Sequence, residues 1–168
     1  MALTFKNVNT DDWSSSWIRS KQPRKQRKYL INAPKHVRRK LIVSHLSKDI
    51  REIAKIKNIV LVVGDRVKIL RGKFKGKEGS VIYIDTKRYR AYIDSAFIEK
   101  KNGDKSYYPI HFSKLMITKL NLTDKKRLDI IKRRNPNITD KDIDNLLKIS
   151  ITNKDELSKV YELNKSFK

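Results

Sequence analysis

Few residues of this chain could do chemistry, and each is better explained without it. Asp49 and Glu52 are spaced like paired catalytic carboxylates on a helix face, but Lys48, Arg51 and Lys55 lie beside them, and surface ion pairing accounts for the cluster. His111 could accept a proton, yet no serine or cysteine nucleophile with an orienting carboxylate stands near it in sequence. As a turn residue donating to backbone or to a bound partner it needs nothing more. Three dispersed histidines and no cysteine make a zinc set improbable, exclude disulfides and suit a reducing compartment. Asp140-x-Asp142-x-Asp144 has the spacing of a calcium loop, but Asn145 stands where glycine is needed and Ile151 where the bidentate glutamate belongs. Gly72-x-x-x-Gly76-Lys77 is one residue short of a phosphate-binding P-loop, and Glu78 follows where a magnesium-binding Ser or Thr should stand. No catalytic residue, metal or cofactor is expected.

What remains is a loop suited to an anionic polymer. Arg71, Lys73, Lys75 and Lys77 alternate with Gly72, Gly76 and Phe74, so cationic side chains ride on a backbone that turns freely. Two strands must hold that loop. Val67 and Ile69 alternate with Arg66 and Lys68 before it, and Val81 to Ile84 supplies an apolar strand after it. Lys87 and Arg88 form a basic turn into a third strand, where Tyr89, Ala91 and Ile93 alternate with Arg90, Tyr92 and Asp94. Asn102-Gly103 marks a hairpin between Ala96 to Lys100 and Lys105 to Ile110, and Leu115 to Leu120 closes the set. Five or six short strands are too few for two stacked sheets, which makes a small SH3-like barrel over residues 58–120 the economical solution.

Charge identifies the partner. The 168 residues carry a net charge of +23 with only 38% hydrophobic residues, so the chain repels itself in isolation and gains by releasing counterions from a polyanion. Nucleic acid outranks an acidic protein. Residues 17–57 hold fourteen basic against two acidic residues and residues 58–120 fourteen against six, whereas residues 135–168 balance at six each. The longest aliphatic run, Ile59 to Val63, is far too short to span a bilayer, and no apolar signal core opens the chain, which points to the cytoplasm.

The front end divides at Ser20. In the tail of residues 1–19, Trp13 and Trp17 lie one helical turn apart behind Thr10 to Asp12; the segment is either a frayed tail or a pair of indoles docking on RNA bases or a neighbouring protein. From residue 20 to 57 runs a basic arm. Lys21, Arg24, Lys25, Arg27 and Lys28 sit too densely for any core, so that stretch should stay extended until phosphates neutralise it. Pro34 opens a short amphipathic helix with Val37 and Leu41 inward and Lys35, His36, Arg38, Arg39 and Lys40 on its basic side. Ser47 reads as the N-cap of a second helix with Ile50, Ile53 and Ala54 inward.

The stretch Gly64-Asp65-x-Val67, then Gly72-x-Phe74-Lys75-Gly76-x-x-Gly79-x-Val81, resembles the KOW motif of ribosomal and transcription-associated proteins. With Asn32-Ala-Pro34-x-His36-x-Arg38-x-Lys40 and Leu46-Ser-Lys48-x-x-Arg51 before it, residues 20–134 look like the archaeal and eukaryotic type of the universal large-subunit ribosomal protein that carries a single KOW barrel. Two departures are local: Val60 to Val63 replace a proline and a basic residue before the Gly-Asp turn, and Phe112 replaces the proline of a His-Pro-Ser turn, here His111-Phe112-Ser113. The resemblance implies a structural role, bound to large-subunit ribosomal RNA and neighbouring ribosomal proteins, with early assembly and a place beside the peptide exit tunnel where targeting factors dock. On that reading the RNA side comprises the arm cations named above with Arg71 to Lys77, Lys87, Arg88, His111, Ser113 and Lys114. The alternative is a KOW-type transcription-elongation factor, which would bind RNA polymerase instead.

Residues 121–134 read as a basic helix, with Leu128 and Ile131 apolar and Lys125, Lys126, Arg127, Lys132, Arg133 and Arg134 exposed. Asn135-Pro136 ends it. In the neutral extension of residues 135–168, Thr139 with Asp142 and Asn153 with Glu156 look like helix caps, and the balanced charge suggests a protein neighbour.

Overall fold

The computed structural model describes residues 10–150 and 154–166, so the Asn153 cap lies outside the described residues. The chain divides into two compact units, residues 1–41 and 42–168. In the first, a 3-10 turn at Ser15–Arg19 leads into helices α1 (Pro23–Asn32) and α2 (Lys35–Leu41). α1 occupies the run expected to be extended, and its sequence supplies the reasons. Pro23 sits in the first turn, where its missing N–H costs nothing, and arginine, lysine and glutamine are strong helix formers. The like charges one turn apart oppose the helix by ~0.2–0.5 kcal/mol per pair. Against them, the Gln26 amide nitrogen donates to the carbonyls of Trp17 and Ser20 at 2.9 and 2.7 Å, and Trp13 packs on Tyr29 with ring centroids 5.5 Å apart. At the other end of α1, the Arg38 guanidinium donates to Ile31 O at 2.7 Å, placing a cation on carbonyls that the helix leaves unsatisfied.

The second unit is a sheet with helices packed around it. Its strands are β1 (Val43–Leu46), β2 (Asn58–Val60), β3 (Arg66–Ile69), β4 (Glu78–Asp85), β5 (Arg90–Ile93), β6 (Phe97–Glu99), β7 (Lys105–Tyr107), β8 (Ile110–His111) and β9 (Leu115–Lys119). β2, β1, β9, β3, β4, β5 and β8 pair in that order, and β6 with β7 form a separate ribbon across Asn102-Gly103. All pairings are antiparallel except β1 with β9, which sets His45 beside Met116 and Leu46 beside Ile117. β4 bends at a register shift between Val81 and Tyr83, which turns both Val81 and Ile82 inward and lets one strand serve β3 with its first half and β5 with its second. The expectation of a mainly β chain is therefore corrected: helical residues outnumber strand residues, the sheet recruits β1 from the segment read as arm, and no pairing among the described residues joins the end strands β2 and β8.

Helices α3 (Lys48–Ala54), α4 (Lys125–Arg134), α5 (Asp140–Ile149) and α6 (Lys154–Ser166) complete the unit. Ile50, Ile131 and Leu146 bring three of them into one core with Val67, Ile69, Val81, Ile93, Leu115 and Ile117. Each such side chain, fully removed from water, stabilises by about 1.5–3 kcal/mol. Thr139 and Asp142 form the reciprocal capping box their spacing predicts. The neutral tail, expected to meet a protein neighbour, packs part of its apolar surface internally: Leu146, Leu157 and Val160 are buried, α5 packs on α3 and α6 on β4, while Tyr161 and Leu163 of α6 stay exposed.

Two glycines are fixed by close approach. A Cβ at Gly64 would meet the Asn121 amide and Leu157 Cδ2, both at 2.7 Å, and one at Gly79 would collide with the Asp94 carboxylate and Ser95 hydroxyl. Burial pushes the Asp94 carboxyl above the usual range, against the pull of the Ser80 and Ser95 N–H groups. Gly79→Ala must move that carboxylate off the Ser80 N–H. It is expected to destabilise by about 1–3 kcal/mol, the usual scale of overpacking, and an unaltered thermal midpoint would contradict the contact.

Candidate nucleic-acid interface

The loop between β3 and β4 is built to stay put. Across its base Ile69 N donates to Lys77 O and Gly76 N donates to Ile69 O, at 2.9 and 2.8 Å, and Lys75 N closes a turn on Gly72 O at 3.0 Å. Gly72 and Gly76 take φ of +107° and +86°, where a side chain would strain the turn. Phe74 is the loop's anchor, buried in the core with the Lys77 ammonium 5.4 Å from its ring centre. Arg71, Lys73, Lys75 and Lys77 are left exposed on a rigid frame.

The turn between β8 and β9 lies beside that loop. Leu70 N donates to Lys114 O at 2.8 Å, and Arg71, Gly72 and Lys73 line one cleft with His111 and Lys114. His111 Nδ1 sits 2.7 Å from the Ser113 hydroxyl and accepts from Ser113 N at 3.3 Å, which assigns the ring proton to Nε2. Its ring stacks on Phe112, with centroids 4.1 Å apart. Burial, then the charges of Arg90 and Lys114, hold its pKa below the ordinary histidine value. Arg90 belongs to the same cleft, and sequence reading missed it. The signal was available, since Arg90 is an outward residue of an alternating strand, but its pairing opposite His111 was not.

The other sequence-predicted residues are distributed rather than gathered. Lys87 and Arg88 stand exposed on the β4–β5 turn, where Asp85 accepts from both backbone N–H groups and pairs loosely with Arg88 at 3.9 Å. In the first unit Lys21, Arg24, Lys25, Arg27, Lys28, Lys35, His36, Arg39 and Lys40 are exposed, whereas Arg38 is turned inward at 6% exposure. α4 departs further from expectation. Arg127, read as exposed, is buried and grips Asp65 with both terminal nitrogens at 2.6 and 2.7 Å. It also donates to the carbonyls of Asn121 and Val60, while Asp65 accepts from the N–H groups of Val62 and Asn121 at 2.9 Å. These bonds offset the cost of burying the two charges, while the Arg127 Nε has no hydrogen-bond partner among the described residues. Arg134 is committed as well, donating to Asn58 O at 2.6 Å, and Lys125, Lys126, Lys132 and Arg133 are the exposed cations of that helix with no hydrogen bond or ion pair from their side chains among the described residues.

Among the described residues no group of acidic, histidine or cysteine side chains could hold a metal, and no helix is long and apolar enough to cross a membrane. The family model that unites the eukaryotic ribosomal proteins L26 with the archaeal ribosomal proteins L24 matches residues 20–134, from the start of the basic arm to the end of α4. The large ribosomal subunit protein uL24 of Nanoarchaeum equitans (strain Kin4-M) is 54% identical over 130 residues, which cover 77% of this chain and 88% of that relative. The glycine-hinged loop, the arm cations and Asp65 all fall inside the matched residues, and the chain belongs to this family of ribosomal proteins, a structural constituent of the large ribosomal subunit and not an enzyme.

Proposed function

We propose that the chain binds large-subunit ribosomal RNA by presenting fixed cations to phosphates, the Arg71 to Lys77 loop acting as a rigid prong and residues 20–41 as a separate basic clamp. The observation that carries this is the contrast within the loop: its backbone is bonded across its base and Phe74 is buried, yet its four cations are exposed and none forms an ion pair among the described residues. A loop backbone already fixed spares the cost of ordering it on meeting phosphate, so the counterions its cations release appear as affinity. Specificity comes from the shape of a folded RNA rather than from base edges.

The bent β4 and the cleft that joins the β3 loop to β8 support a curled, SH3-like arrangement of the KOW strands. The exposed Ser113 and Lys114 extend the same surface, and Lys87 and Arg88 add cations on the β4–β5 turn. The chain works bound to the ribosome in the cytoplasm beside neighbouring ribosomal proteins, enters assembly early and stands at the rim of the exit tunnel, where targeting factors dock. The test joins two measurements. Wild-type protein should co-sediment with large subunits through a high-salt wash, and replacing Lys73, Lys75 and Lys77 with Ala should flatten the slope of log affinity against log salt by about 2–3, at ~0.7–0.9 per lost phosphate contact. An unchanged slope would remove the loop from the interface.

A further inference from the structure

The cleft beside the KOW loop is more than a charged surface, because it has a volume and an aromatic wall. It encloses about 280 Å³, at the lower edge of the ~300–1,000 Å³ range of small-molecule sites, which is room for one nucleotide and not for a duplex. Arg71, Lys73, Arg90 and Lys114 line it, and no carboxylate does. Four like charges on one concave surface repel one another, and His111 beside them is held below the ordinary histidine pKa by burial and then by Arg90 and Lys114. The fold keeps them together unneutralised, which is the arrangement expected of a site that an anion completes. The aromatic wall narrows the anion. Tyr108 stands on Phe74, ring centroids 5.6 Å apart, and is itself 45% exposed at the cleft. An inorganic ion or an acidic side chain has no use for a half-exposed phenol ring, whereas a base has a flat face to lay against it.

We infer that this cleft takes a single unstacked nucleotide of the bound RNA, its base against Tyr108 and its phosphate held among Arg71, Lys73, Arg90 and Lys114. The inference rests on the RNA-binding reading above and deepens it. It separates the loop's cations into two sets. Arg71 and Lys73 face the extruded nucleotide, while Lys75 and Lys77, which do not line the cleft, meet the continuous backbone.

Two measurements on the full chain test it. Backbone and His111 resonances are followed by NMR during titration with adenosine or uridine 5′-monophosphate, and separately with ribose 5-phosphate. The mononucleotides are expected to shift Gly72, Lys73, Tyr108 and His111 at lower concentration than the sugar phosphate does, and to raise the His111 pKa by adding a negative charge beside it. Equal response to both ligands, or no response at these residues, overturns the base site. The second measurement is affinity for a large-subunit RNA fragment. Tyr108→Ala should weaken binding about ten- to hundredfold, the scale of one lost stack, with the salt slope unchanged, and Tyr108→Phe should restore it. If Tyr108→Ala and Tyr108→Phe both bind like wild type with its full salt slope, the nucleotide site falls and the electrostatic reading stands. A wild-type chain that ignores the RNA at physiological salt removes both.

Discussion

Asp65→Ala is expected to cost about 3–5 kcal/mol, the largest effect of any single substitution in the chain, because it strands the Arg127 guanidinium in a buried site. It also removes the acceptor for the N–H groups of Val62 and Asn121, so the turn before β3 and the exit from β9 loosen together. For a domain of this length, each kcal/mol moves the thermal midpoint by ~2–4 °C, so a fall of about 6–20 °C should be seen. Arg127→Met, the reciprocal change, leaves the buried carboxylate without its counter-charge and should cost a similar amount. The double variant is the decisive measurement. With both charges gone, the loss should fall short of the summed single losses by at least ~1 kcal/mol, and simple additivity would mean that the two groups do not depend on each other. RNA affinity at a temperature where every variant is folded should change little, since neither group is exposed.

Removing residues 1–41 should do the opposite, leaving stability nearly intact and cutting RNA affinity. Residues 42–168 form a compact unit containing the whole sheet and α3 to α6, so the truncated chain should melt within a few degrees of the full one. The deleted segment carries eleven basic and two acidic residues. If about half of those cations reach phosphates, the salt slope falls by ~4, and affinity at physiological salt drops by at least about a hundredfold. Isothermal titration of both chains with the same RNA fragment across a salt series reads both quantities. A truncated chain with wild-type slope would confine the RNA surface to the sheet unit.

Features encoded in short windows were legible in the sequence. The β3 and β5 alternations, the Asn102-Gly103 hairpin, the Pro34 helix start, the Thr139–Asp142 capping box and the basic glycine loop each depend on residues a few positions apart, and each is found where it was read. Features set by distant partners were not. Val43 to Leu46 carries no strand signal strong enough to stand out after a helix, and only β2 and β9 on either side make it β1. Arg127 is one cation among six in its segment, and no local pattern says that it alone finds a buried carboxylate. Charge density likewise misled over α1, because net repulsion is visible in the sequence while the Gln26 and Trp13 contacts that offset it are not. The candidate site divides the same way: its loop was readable, but Arg90 and Tyr108 join it only through pairing and packing.

The parallel pairing of β1 with β9 sets a timetable. A ribosome making this chain at ~5–20 residues per second releases His45 several seconds before Met116, the residue that must lie beside it. Through that interval β1 has only β2 along one side, and its other edge stays bare until β9 arrives to fill the space between β1 and β3. The basic N-terminal helices are meanwhile already outside, free to meet RNA before the body they precede has finished forming. A stalled nascent chain ending before Leu115 should therefore keep its sheet open to protease, and lose that sensitivity only once Lys119 has cleared the tunnel.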